Sequence, residues 1–345
     1  MNKRARDARI AMLRFPENMS KESRIISRLR DLARIDDRVL VGIGDDAAVI
    51  KSPGARDLLL CCDLMVEGVH FRKEWAPPRL LGRKALAVNL SDIAAMGGVP
   101  RFAMVSIALP HGFSAKFIDE IFRGLFDIAE ASGVSIVGGD TSSSPDSLFI
   151  DVSVIGDCVS GRAITRSGAK VGDFIYVSGS LGASALGLSL LEEGHRLEDD
   201  SDFKNALLKH LAPEPRLNLG RVIGESELVT AMIDISDGLS TDLWHLLDES
   251  NCGAVIKAVA IPIAESVLRI STNTANPLEL ALDSGEEYEL LFTSPPDKSF
   301  EIAELAKAIE VPITRIGEIV AGDGLQLETD ERLERLPASG YEHVI

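Results

Sequence analysis

Seven aspartates stand where apolar, strand-like runs give way to glycine or serine. They are Asp45 and Asp46 in VGIGDDAAVI, Asp63 in LLLCCDLMVEGVHF, Asp92 in AVNLSDIAAMGG, Asp140 in SIVGGDTSSS, and Asp234 and Asp237 in AMIDISDGLSTDL. A carboxylate buried without a partner costs several kcal/mol, so a fold that ends its strands this way must bring cations to them. Oxygen ligands with no Cys/His ligand spacing point to Mg²⁺ or a similar hard ion, and carboxylate-held Mg²⁺ usually faces a phosphate. The expectation is a metal-dependent site for a nucleoside triphosphate.

The bulk properties narrow this further. At 345 residues the chain suits two domains, and 46% hydrophobic with 26% charged residues is a globular composition. A formal net charge of −17 argues against non-specific nucleic-acid binding, which needs a basic surface. Part of that excess, in EEGHRLEDDSD (192–202) and ETDERLE (328–334), reads as solvated surface. The four cysteines include no CxxC pair, and neighbours such as Cys61 and Cys62 very rarely bridge; reduced thiols and a cytoplasmic location are expected. No apolar stretch approaches the roughly 20 residues of a membrane span, so no membrane partner is expected. Residues 1–20 are basic, lack an apolar signal core, and read as an extension.

Residues 20–35 carry Ile25, Ile26, Leu29, Leu32 and Ile35 at helical spacing, with Ser20 as N-cap. RVLVGIG, AAVIKS and DLLLCCDLM read as strands. A helix over 79–98 should end at Gly97-Gly98, with Pro100 as a stop. RFAMVSIALP is a strand, 114–133 an amphipathic helix, and VSIVGGD and SLFIDVSVIGDCV two more strands. Beyond a boundary near Val159–Gly161, helices are expected at 183–194, 202–212 and 298–311, and in PEPRLNLGRVIGES and DGLSTDLWHLLDESN. Strands are expected in GDFIYVSGS, ELVTAMIDIS, GAVIKAV, YELLFTSP and ITRIGEIV. This is not the regular alternation of a doubly wound sheet. The expected fold is α+β or mixed α/β: an extension at 1–21, an N-terminal domain at 22–158 with a mixed sheet and helices, and a C-terminal α+β domain at 159–345.

Several motifs have plainer readings. Gly42-Ile43-Gly44-Asp45-Asp46-Ala47 nominally fits a dinucleotide fingerprint, but two aspartates occupy the place of bare amides and a strand follows instead of a helix. No P-loop and no protein-kinase motif set is present. Asp237 is a natural N-cap for the helix after it, and helix N-termini near the aspartates would offer N–H groups to phosphate. Gly138-Gly139-Asp140-Thr141-Ser142 suits close approach of a phosphate, or simply a turn. Arg166 reads as an isolated loop base and His70 as a packed histidine. DSGEEYELLF (283–292) reads as a glutamate-rich segment whose plain alternative is a solvated edge.

Together, GIGDDAAV, CCDLMVEGVHF, KALAVNLSDIAAMGG, VGGDT, GRAITRSGAKVGD, IDISDGL and SGEEYELLF resemble the thiamine-monophosphate kinase family, part of the larger group typified by aminoimidazole ribonucleotide synthetase. The resemblance spans roughly residues 22–345. It implies ATP-dependent phosphorylation of thiamine monophosphate with several Mg²⁺ ions, and a homodimer in which the N-terminal sheets pair into a barrel. It implies Mg²⁺ ligands at Asp46, Asp63, Asp92, Asp140, Asp234 and Asp237, which leaves Asp45 the weakest of the seven. It implies ATP contacts at Gly139, Asp140, Arg166 and Ser236, and substrate contacts at His70, Glu286 and Tyr341. Cys61 and Cys62 depart from a Ser-Thr pair often found in related kinases; a thiol is a poor Mg²⁺ ligand, so a backbone carbonyl would serve there or the site is weaker. The acceptor is itself a phosphate, mostly dianionic at neutral pH, so no catalytic base is expected, and Arg166 could add positive charge. The alternatives are another ATP-using member of the same group, or a non-catalytic binder of nucleotide or thiamine phosphate. Members that need an N-terminal or C-terminal reactive cysteine are disfavoured, since the first cysteine is Cys61 and the chain ends GYEHVI.

Overall fold

A computed structural model describes residues 21–33, 36–198, 203–270, 276–330 and 332–341. The expected N-cap Ser20, Ile35 and the extension at 1–20 lie outside the described residues. Helix α1 (Lys21–Leu32) leads into a six-stranded sheet built from β1 (Val39–Val41), β2 (Ala48–Ile50), β3 (Arg56–Val66), β4 (Val99–Leu109), β5 (Ser135–Ser143) and β6 (Phe149–Val159). Its order is β1-β2-β3-β6-β4-β5, antiparallel except for the parallel pair β4/β5. Two helices, α2 (Pro78–Ala95) and α3 (Ala115–Ala131), cover one face. Alternation explains this: Leu59 and Met65 of β3 and Ile150, Val152 and Val154 of β6 point inward and are buried, while Leu58, Leu64, Phe102 and Met104 point the other way and are exposed.

Helices α2 and α3 touch backbone to backbone. A Cβ on Gly82 would lie 1.9 Å from the Ile121 carbonyl oxygen, and one on Gly124 would lie 1.8 Å from that of Arg79. Only glycine permits that crossing. Helix α2 stops at Ala95, with the Gly97 and Gly98 amides returning to the carbonyls of Ala94 and Ile93 at 3.0 and 2.9 Å. Pro100, the expected stop, lies beyond the helix end as the second residue of β4.

The second sheet has order β13-β12-β9-β11-β7-β10-β8. Its strands are β7 (Phe174–Ser178), β8 (Ala231–Asp234), β9 (Gly253–Lys257), β10 (Leu290–Ser294), β11 (Ile313–Val320), β12 (Gly324–Glu328) and β13 (Leu333–Arg335). Only β9/β12 is parallel. The helices are α4 (Ala183–Glu192), α5 (Lys204–Leu211), α6 (Leu217–Glu225), α7 (Leu239–Ser250), α8 (Glu265–Ile270), α9 (Pro277–Asp283) and α10 (Ser299–Ile309). Strand β10 and the edge strand β8 are buried at every position, because helices cover both faces there. One face packs on α7 and α9; the other packs on α6 and α10 and reaches Ala94 and Ala95 of α2. Helix α2 therefore belongs to both halves. At the opposite edge, Arg30 of α1 donates to the Ile43 carbonyl and to Glu249 of α7, at 2.7 and 2.8 Å.

Candidate active site

Loops from both halves converge at the N-terminal end of α7 and the C-terminal part of α2. Carboxylate oxygens of Asp46, Asp92 and Asp234 lie within 4.8 Å of one another. One oxygen of Asp46, Oδ2, is buried with no hydrogen-bond partner. Asp234 accepts from Ser91 Oγ at 2.5 Å. Burial and mutual repulsion push these acids up. Asp234 rises to about 8 through burial and Asp46, Asp63 to about 6 through burial, Asp151 and Asp46, and Asp92 well above the carboxylate range. Three crowded carboxylates and an orphaned oxygen are an all-oxygen donor set that fits a hard divalent cation.

Arg166 brings a cation to the cluster through Asp46. Its Nη2 lies 2.5 Å from Asp46 Oδ1, and its Nε donates to the same oxygen at 3.2 Å. The plain reading as a surface base is thus corrected. Asp45 accepts the Arg166 backbone N–H at 3.3 Å, and Ser250 Oγ donates to the Arg166 carbonyl at 2.9 Å. Asp45 thus braces the arginine and stands outside the three-carboxylate cluster, its own carboxyl raised to about 7 by burial and Asp46.

The capping expected of Asp237 is also corrected. The residue before α7 is Gly238, with no side-chain cap. The amides of Ser236, Asp237 and Gly238 all donate to Asp242 Oδ2, each at 3.0 Å. They are therefore not open to a phosphate. Asp242 lies in the first turn of α7, five residues after Asp237, and no sequence motif marks it.

The three glutamates of SGEEYELLF are not a solvated edge. Glu286 pairs with buried Lys84 of α2 at 2.8 Å and lies 3.2 Å from His210 Nδ1. Burial works to raise the Glu286 carboxyl, but Lys84 and His210 hold it below its ordinary value. His210, buried beside Lys84, is lowered to about 4 and stays neutral. Glu287 accepts the Gly182 and Ser184 amides at the start of α4, and Glu289 takes Arg216, Lys209 and Ser178. Each is paired because each is inside. His70, Trp75, Lys84, Phe117 and His210 line a pocket beside Glu286. His70 Nδ1 accepts the Val66 amide at 3.0 Å. Tyr341 donates its backbone N–H to the Asp237 carbonyl at 2.9 Å, so the chain's last described residue lies against the aspartate loop.

Asp140 and Cys62 stand apart, while Cys61 sits beside Asp92 at the edge of the cluster. Asp140 is exposed on edge strand β5, in register with Ser106, Asp151 and Leu64, a row displaced by one residue from that of Asp63. A Cβ on neighbouring Gly139 would meet the Val105 carbonyl oxygen at 1.8 Å. Cys61 Sγ donates to the Asn89 carbonyl at 3.4 Å, and burial with Asp92 and Asp63 nearby pushes its thiol well up. Cys62 is exposed on the outer face. Neither thiol joins the carboxylate cluster.

The AIR synthase related protein models match along most of the chain, the N-terminal domain at residues 44–158 and the C-terminal domain at 170–330. A thiamine-monophosphate kinase of Bacillus subtilis is 37% identical over 310 residues, covering 88% of this chain and 93% of the relative. The chain belongs to the thiamine-monophosphate kinase family. The kinase of Escherichia coli K12 is also 37% identical, over 93% of this chain and 96% of its own length. A solved structure of AaThiL complexed with AMPPCP and TMP superposes with TM-score 0.82 at 29% identity, covering 96% of this chain and all of that one. The Escherichia coli hydrogenase maturation protein HypE, at 20% identity and TM-score 0.66, shares the fold alone. Among the described residues no helix is long and apolar enough to cross a membrane.

Proposed function

We infer that this chain transfers the terminal phosphoryl group of ATP to thiamine monophosphate, giving thiamine diphosphate and ADP. The observation that carries the reading is the cluster of Asp46, Asp92 and Asp234, with its orphaned oxygen, in a chain whose family is this kinase. Asp46, Asp92 and Asp234 would hold Mg²⁺, with Asp63 and Asp237 beside them. Bound there, Mg²⁺ supplies the positive charge that lets two anionic phosphates approach. Arg166, held by Asp45 and Ser250, lends its guanidinium to the transferring phosphoryl group in exchange for its contact with Asp46. Ser236 would face the nucleotide, and His70, Glu286 and Tyr341 the organic part of the acceptor. The acceptor phosphate, with a second pKa of about 6, needs no base, and neutral His210 is not asked to act as one. The exposed outer face of the first sheet, with Leu58, Leu64, Phe102 and Met104, supports pairing of two copies into a barrel.

The test is ADP release with thiamine monophosphate, with thiamine, and with no acceptor, each with and without Mg²⁺. Release only with thiamine monophosphate and Mg²⁺ supports the reading. Equal release with all three overturns it.

A further inference from the structure

We propose that Asp242 is the positioning residue of this site: its carboxylate organises the Ser236–Gly238 loop and so sets where the Asp234 and Asp237 side chains stand. The proposal rests on the metal reading above and extends it to a residue outside the ligand set. Three consecutive amides converging on one point form a concavity that takes an anion. Here the anion is internal. Asp242 is 2% exposed, and one oxygen gathers all three donors at 3.0 Å. Gly238, at φ +124°, lets the chain turn sharply enough for them to converge.

The carbonyls of the same stretch face the other way and carry the substrate side. Ser236 accepts the Glu286 amide at 2.7 Å, Ile235 the Tyr288 amide at 2.8 Å, and Asp237 the Tyr341 amide at 2.9 Å. This stretch thus has its donors gathered by Asp242 and its acceptors taken by two other segments, at 286–288 and at Tyr341. A carboxylate placed close to Asp234 and Asp237 works against like charge, whereas a neutral cap at Gly238 would satisfy a helix alone. The unfavourable choice is explained if a fixed anion is needed to hold all three amides at once, since charge-assisted hydrogen bonds are roughly twice as strong as neutral ones.

The test compares the wild type with Asp242→Asn and Asp242→Ala by amide hydrogen exchange at residues 236–238 in metal-free protein and by calorimetric titration with Mg²⁺ alone. Asparagine keeps an acceptor and loses the charge, so Mg²⁺ binding should weaken by about threefold to tenfold, and alanine should weaken it further, with protection of the three amides lost. Wild-type Mg²⁺ affinity in a folded alanine variant overturns the proposal. If alanine fails to fold, unchanged affinity in the asparagine variant overturns it. A wild-type protein that binds no Mg²⁺ overturns the metal reading instead. The exchange data then decide the loop's role: unchanged protection of the three amides in a folded Asp242→Ala variant counts against it, lost protection supports it.

Discussion

Arg166 does two jobs that compete. It pairs with Asp46 in the structure, and under the proposed function it lends the same charge to the transferring phosphoryl group. Arg166→Ala is expected to lower kcat by about 10²–10³-fold, the scale of losing one charge-stabilising donor, with a smaller change in KM for thiamine monophosphate. Steady-state kinetics check this, and an unchanged kcat removes Arg166 from the reaction. The raised acids give a pH dependence. Between pH 6 and pH 8, Asp63, at about 6, loses its proton near the bottom of the range and Asp234, at about 8, near the top, so a metal bound there would displace mainly the Asp234 proton. Mg²⁺ affinity should therefore rise from pH 6 to pH 8 and then level off, with protons released on binding; calorimetry in buffers of different ionisation enthalpy reads both. At this scale the aspartates were legible because a carboxylate after an apolar strand conflicts with its surroundings. Asp45, Asp242, Ser91 and Lys84 were not, because each matters through a partner distant in sequence or through backbone amides that no motif displays.

At the scale of elements, strands and long helices were readable from periodicity, while short or capped pieces were not. Helix α9, strand β12 and strand β13 carry too few residues to set a period. The segment at 283–292 was ambiguous for another reason: charged residues alternating with apolar ones look the same whether their partners are water or Lys84, Arg216 and helix amides. The α2–α3 crossing is the element-level feature most exposed to test. Gly124→Ala places a methyl against the Arg79 carbonyl and should cost about 1–3 kcal/mol, as overpacking generally does. The urea midpoint should fall with an unchanged slope; a wild-type midpoint means the helices can separate freely.

For the whole molecule, the outer face of the first sheet is where the proposed pairing of two copies can be tested. A β surface carrying Phe102, Met104, Leu58 and Leu64 is an association surface on physical grounds. Met104→Asp in the middle of β4 should shift the species seen by sedimentation from dimer to monomer, and a wild type that sediments as a monomer removes the barrel. Helix α2 sets a dimension as well. Lys84 meets Glu286 near its start, and Asp92 joins the carboxylates eight residues later, about 12 Å along the axis at the usual helical rise. Leu86, Leu90 and Ile93 bury that stretch completely, so it can neither bend nor slide. Under the proposed function this stretch of helix is a gauge of fixed length between the phosphates and the ring system of the acceptor. Acceptors whose spacer is longer or shorter than the natural one would be rejected by length, before any atom of their rings is read.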